Sequence, residues 1–405
     1  MAMILHRVGP LLVVSALISG GWGQQPLDLK MALAEADANN LELRAALQQR
    51  AMALAGIATA RQIPNPTVTF GALRDVPHES VTIDQPIELG GKRSNRIAVA
   101  REEQRATDVD IAALRRQIRR RTREAFFRAL TARAQAEQSK AALDLATRTK
   151  DVVRQRFEAG DVAELEVIQA DVELARADAD YQFASQLQRA AEVQLAALLN
   201  RSLTAALNLG GSAEELPTVM PLEQFASTAM QSNSDLAKTL QAMRTEERRL
   251  ELAKSQRIPN VDLQAGADLN APPDFNVGPK GQIAMQLPLF YREQGEISLA
   301  KARLELLRLT ADSQRTNVAA QVTAAYYDFN AKAHQAEQFR NRMVPETVKL
   351  EEMARESYQA GKSNLLTLID AQRKLNDVKK AYLDSLSSAQ SSFASLEELV
   401  GASLD

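Results

Sequence analysis

Chemistry in this 405-residue chain would have to come from a short inventory. The histidines are His6, His78 and His334, no two of them close in sequence, and cysteine is absent. That excludes a thiol nucleophile, a disulfide and a cysteine metal centre, and gives a histidine-rich metal site nothing local to build on. His78 beside Glu79 offers two ligands, too few for a coordination shell. Asp28, Glu35 and Asp37 stand near the start of a helical stretch and read as surface charges rather than acid catalysts. The densest charge is RRQIRRRTREAFFR at 115–128, with seven arginines. A nucleic-acid patch belongs on a basic molecule, whereas here the net charge is -2. The run therefore reads as a solvated helix face paired with neighbouring acids. No nucleophile–base pair, phosphate loop or ligand cluster stands in the sequence, so it makes no case for an enzyme, a cofactor or a bound metal.

The elements that carry these residues are mostly helices. Glycine and proline are few, aromatics are 4% of the chain, and Ala, Leu, Gln, Glu and Arg dominate. The start resembles a secretory leader over residues 1–23. His6 and Arg7 precede an apolar run from Val8 to Ile18, and Gly21-Trp22-Gly23 offers small residues for cleavage. No later segment has the ~18 apolar residues of a spanning helix. Export and a membrane location would then require strands.

The chain nearly repeats itself after about 200 residues. ARQIPNPTVTFGA (60–72) matches SQRIPNVDLQAGA (255–267), and QPIELGGKRSNRIAVAR (85–101) matches QLPLFYREQGEISLAKAR (286–303). RFEAGDVAELEVIQA (156–170) matches SYQAGKSNLLTLIDA (357–371), with Gly160 opposite Gly361 and Ile168 opposite Ile369. So long a period means duplication of a large unit. The first unit spans 24–203 and the second 222–405, joined by a linker over 204–221 with Gly210, Gly211, Pro217 and Pro221. Each unit opens with a helical stretch that ends at Pro64 or Pro259. Strands follow at about 67–73 and 81–89, then at about 261–270 and 282–290, with prolines 77, 272, 273 and 279 in the loops between them. In VDLQAGADL apolar and polar residues alternate, the mark of a two-faced strand. Long helical hairpins close the units at about 94–199 and 296–400, reversing at Gly160 and Gly361, where glycine permits positive φ.

The expected fold is mainly α with four β-strands in two tandem repeats. Strands cross a bilayer only in closed barrels, and the known single-chain barrels begin at eight strands. Four strands form either a small soluble sheet or one share of a barrel pooled by several chains. The soluble alternative makes the protein an exported coiled-coil scaffold.

The mature chain resembles the TolC family of outer-membrane efflux factors over its whole length. The repeated helix–strand–strand–hairpin plan is that family's layout. QPIELGGKRSNRIAVAR is similar to the run that enters the first long helix in its CzcC-like, heavy-metal branch. FEAGDVAELEVIQA (157–170) and YQAGKSNLLTLIDAQ (358–372) are similar to the family's helix turns at the periplasmic tip. The resemblance implies a homotrimer of the Gram-negative outer membrane, with a shared twelve-stranded barrel in lipid and an α-helical tunnel in the periplasm. It implies a passive exit duct for divalent heavy-metal cations, served by a periplasmic adaptor and an inner-membrane RND pump. Phe157, Gly160, Tyr358 and Gly361 become the adaptor-docking tip. Asp370, with Glu166 in the first half, becomes an acidic ring at the tunnel entrance. Thr367 and Ser363 depart from the charged residues some members carry there, which leaves the gate's ion pairs open. Duct service to a drug pump or a type I secretion system would fit the same fold.

Overall fold

The computed structural model describes residues 26–402 apart from 73, 218, 219, 272 and 273. The expected leader lies outside the described residues. In the first half, α1 (Leu29–Asn39), α2 (Leu41–Ala60), β1 (Thr67–Ala72), β2 (Glu79–Ile87), α3 (Lys92–Glu158) and α4 (Glu164–Leu198) follow one another. The second half runs α5 (Leu222–Ser232), α6 (Ser234–Gln256), β3 (Val261–Ala271), β4 (Phe275–Met285) and α7 (Gln294–Gln338). A π-turn at Phe339–Met343, α8 (Val344–Gln359) and α9 (Leu365–Val400) complete it. The 67 residues of α3 make a rod of about 100 Å at ~1.5 Å per residue. No helix among the described residues is long and apolar enough to cross a membrane.

Each opening helical stretch is two helices, because an asparagine interrupts it. Asn40 has extended backbone, and its Oδ1 accepts the N–H groups of Glu42 and Leu43 at 3.0 and 3.2 Å. Asn233 does the same for Asp235 and Leu236 at 3.0 and 3.1 Å. Both cap a helix N-terminus that would otherwise leave donors unpaired. Both also donate through Nδ2 to the last turn of the returning helix: Asn40 to Leu198 O at 3.0 Å, Asn233 to Leu399 O at 2.8 Å. The same two-ended device in both halves carries the duplication from sequence into hydrogen bonding.

α3 forms an antiparallel hairpin with α4 and packs on its other side against α6 and α9. At mid-height its buried Ile118, Phe126, Phe127 and Leu130 meet Leu43, Leu195 and Leu199. The counterpart cluster joins Phe225, Val318, Val322, Leu396 and Val400. The segment between the halves is tied down: Leu27 N–H donates to Asn208 O at 2.7 Å, and Arg133 donates to Leu209 O at 2.7 Å.

Three expectations need correction. The fourth strand starts at Phe275, well before residue 282, and contains Pro279. β4 lies at the edge of the sheet, where a missing N–H is tolerated. The second strand likewise begins at Glu79 and ends at Ile87. The arginine run is also no uniformly solvated face. Arg115 and Arg119 reach Asp37 at 3.8 and 3.1 Å, and Arg121 reaches Glu42 at 3.2 Å. Arg123, however, is 2% exposed, with Nε 3.2 Å from Glu397 and its guanidinium 5.0 Å from the centre of the Phe393 ring. It faces inward because α9 packs against that side of α3. Of the early acids, Asp28 caps α1 and Glu35 takes a two-point bond from Arg201 at 2.6 and 2.5 Å.

Candidate functional site

The strands form one antiparallel sheet in the order β1-β2-β3-β4, so the middle pairing joins the two repeats. Directly paired residues share a face. One face carries Val68, Ile83 and Ala265 in one row and Phe70, Val81 and Ala267 in the next. Leu263 and Ile283 pair on the same face, as do Val261, Ile87 and Met285. The other face carries Thr67, Asp84, Gln264 and Gln282, then Thr69, Thr82, Gly266 and Lys280. Its polar groups bond one another: Gln264 donates to Asp84 at 2.8 Å, and Lys280 meets Asp268 at 2.7 Å.

Among the described residues nothing covers the apolar face. Phe70 is 76% exposed and Ile283 71%, and Val68, Ile83, Leu263, Val277 and Met285 are exposed with them. A soluble sheet buries such a face against a helix or a second sheet. This one is shaped for an apolar solvent on one side and water on the other. Among the described residues the sheet is open: β1 and β4 each have one unpaired side.

About a helix length away, both hairpins reverse by one mechanism. Gly160 (φ 81°) donates to Phe157 O at 2.9 Å while Asp161 donates to Arg156 O at 2.8 Å. Gly361 (φ 69°) and Lys362 repeat the pattern on Tyr358 O and Ser357 O at 3.0 and 2.8 Å. These paired bonds satisfy the last helical carbonyls and require left-handed backbone at the glycine. No atom lies within 4 Å of where a β-carbon would sit at either glycine.

The two tips are tied together across the repeats. Tyr358 is 3% exposed and packs with Val153, Ala170, Ala354, Leu365, Leu368 and Ile369. Its hydroxyl donates to Glu166 at 3.0 Å, and the Arg156 guanidinium lies 5.0 Å from its ring centre. Arg373 donates through Nε to Glu173 at 2.9 Å. Burial first, and then the bond to Glu166, push the Tyr358 hydroxyl up to about 12. A raised acid pKa favours the protonated, donating form. The bond is therefore complete below the ordinary value near 10 and is lost only as pH rises through about 12. Tyr358→Phe is expected to remove about 1 kcal/mol of tip cohesion. Faster amide exchange in 357–366, with exchange in the sheet unchanged, is the check.

The structure thus joins Tyr358 and Glu166, which the sequence assigned to separate features. Phe157 stays 42% exposed, and Asp370 is exposed on α9. Arg156, Glu173 and Arg373 were missed. No local signal marks them, since their partners lie about 200 residues away in sequence.

Comparison with known proteins agrees with this geometry. The family model described as "Outer membrane efflux protein" matches residues 32–201 and 225–402. The cobalt-zinc-cadmium resistance protein CzcC of Cupriavidus metallidurans is 25% identical over 379 residues, 93% of this chain and 90% of that protein. A membrane protein from Pseudomonas aeruginosa superposes with a TM-score of 0.77 at 17% identity, over 92% of this chain and 90% of its own. CusC, solved in a study of transmembrane channel formation, gives 0.74 at 18% identity over 96% of each chain.

Proposed function

The chain belongs to the outer membrane efflux protein family, and from that premise we propose that it is the exit duct of a tripartite pump that expels divalent heavy-metal cations. It is an outer-membrane efflux channel and not an enzyme. The observation that carries the reading is the sheet: an exposed apolar face, a polar face behind it, and an unpaired edge on either side.

The repeat supplies the rest of the argument. Within one chain, the last strand of the first unit pairs with the first strand of the second. In a closed ring of chains, β4 pairs in the same way with β1 of the next copy. The helices offer the same continuation. α6 bridges α3 and α7, whereas its counterpart α2 packs on α3 and leaves Leu47, Met52 and Leu54 exposed. α7 exposes Leu299, Leu306 and Leu309 on its own free flank. Head-to-tail contacts of this kind close into rings. Three copies pool twelve strands, within the range of known barrels. The polar face lines a water-filled lumen, and the helices continue it into the periplasm.

In this reading the tip with Phe157, Gly160, Tyr358 and Gly361 receives the periplasmic adaptor, and an RND pump of the inner membrane supplies the energy. Asp370, with Glu166 behind it, lines the entrance, where threefold repetition of a carboxylate would favour cations. The metal cargo rests on the likeness to CzcC, whose name gives cobalt, zinc and cadmium.

Light scattering on protein extracted from outer membranes tests the assembly. A mass of three chains in detergent is expected, and a monomer soluble without detergent would overturn the reading. Growth of a deletion strain on zinc, cobalt and cadmium salts tests the cargo. Tolerance equal to that of the parent would remove the metal.

A further inference from the structure

The π-turn in the second long helix has no counterpart in α3, which is continuous α-helix from Lys92 to Glu158. Up to that turn, buried positions in the two repeats correspond 200 residues apart. Ile118 answers Val318, Thr122 answers Val322, Ala129 answers Phe329 and Ala136 answers Ala336. Beyond it they correspond 201 apart: Ala146 and Thr347, Val153 and Ala354, Ala170 and Ala371, Leu195 and Leu396. Gly160 and Gly361 share that second offset. One additional residue therefore enters the second repeat between Ala336 and Thr347. The π-turn at Phe339–Met343 lies inside that interval.

A residue added to an α-helix turns everything after it by about 100°. Such a rotation would carry Tyr358 away from Glu166 and Ala354 out of the tip cluster. A π-turn closes its ring with one more residue than an α-turn, so it takes up the addition locally. We propose that Phe339–Met343 is a positioning element. It absorbs the extra residue of the second repeat and keeps α8 in rotational phase, so that the tip of the second hairpin meets the tip of the first. Pro345 stands two residues past the turn and, lacking an N–H, makes no demand on the carbonyl four residues back. In a plain α-helix its ring would crowd that carbonyl, so turn and proline suit each other.

The proposal predicts that one residue can be removed at the turn and nowhere else in α8. The test uses the full-length channel carrying Tyr358→Cys and Glu166→Cys. The chain has no cysteine of its own, so a short bifunctional thiol reagent reads the phase of the tip. Deleting Asn341 together with Pro345→Ala lets the shortened segment close as plain α-helix. Assembled protein should be recovered, with cross-linking comparable to the parent. Deleting the exposed Glu352 within α8 should abolish the cross-link. The proposal is overturned if the Asn341 deletion loses the cross-link or fails to assemble, or if the Glu352 deletion keeps it. Failure of Pro345→Ala alone counts equally against it, because the phase is assigned to the turn and not to the proline. The readout depends on tip geometry only, so it is independent of what the channel carries.

Discussion

Gly266→Ala is expected to abolish the membrane-inserted assembly. Gly266 sits opposite Thr82 where β2 pairs with β3, the seam that joins the repeats. A β-carbon there would lie 2.2 Å from the carbonyl oxygen of Val81 and 3.1 Å from the Thr82 Cα. Both are backbone atoms, so relief requires the strands to separate and the ladder to break. Overpacking against movable side chains costs about 1–3 kcal/mol. Against fixed backbone the cost should reach or pass the top of that range. Gly281→Ala is the control. It lies in the neighbouring strand, and a β-carbon there would meet nothing closer than 3.9 Å. Light scattering of detergent extracts should find the oligomer for Gly281→Ala and little or none for Gly266→Ala. Equal recovery of the two would mean that β2 and β3 do not approach as described.

The second large effect is expected at Glu397. Its carboxylate lies 3.2 Å from Nε of Arg123, a guanidinium 2% exposed between α3 and α9. Glu397→Ala leaves a buried charge without that carboxylate, which costs about 3–5 kcal/mol in comparable sites. Changing both partners, as in Arg123→Met with Glu397→Leu, removes the charge as well as its counterion. Such replacements are often neutral or better. The double variant should therefore unfold at a higher temperature than Glu397→Ala alone, despite carrying more changes. The neighbouring pair, Arg120 with Glu398 at 2.5 Å, is more open to water and should respond weakly. A double variant less stable than the single one would show that the guanidinium holds the helices together by its hydrogen bonds more than it strains them by its charge.

Much of this molecule was legible in the sequence, and the parts that were not share a cause. Alternation in Val261, Leu263, Ala265, Ala267 and Leu269 announced β3, because strand faces repeat every two residues. The reversals at Gly160 and Gly361 were equally plain, since left-handed backbone selects glycine. β4 was misplaced because Gly278, Pro279 and Gly281 read as a loop, whereas the register of β4 on β3 carries them through the strand. The breaks at Asn40 and Asn233 were hidden by apolar periodicity on both sides, while the reason for each asparagine lies at Leu198 or Leu399. Likewise, Arg123 looked solvated until α9 was laid against it. Residues whose role depends on a partner in the other repeat gave no local sign of it.

The sheet's open edges also bear on how the protein is made. A single copy presents unpaired strand sides and a bare apolar face, and neither is tolerable alone. In lipid the unpaired N–H and C=O groups at β1 and β4 each cost several kcal/mol. In water the same edges invite indiscriminate pairing. The helical body, by contrast, buries its own cores and can fold before it reaches a bilayer. In the assembly proposed above the strands would come last, and insertion would coincide with the meeting of copies. Its rate should rise more steeply than linearly with the amount of chain in transit, and what waits for partners needs shielding along the way.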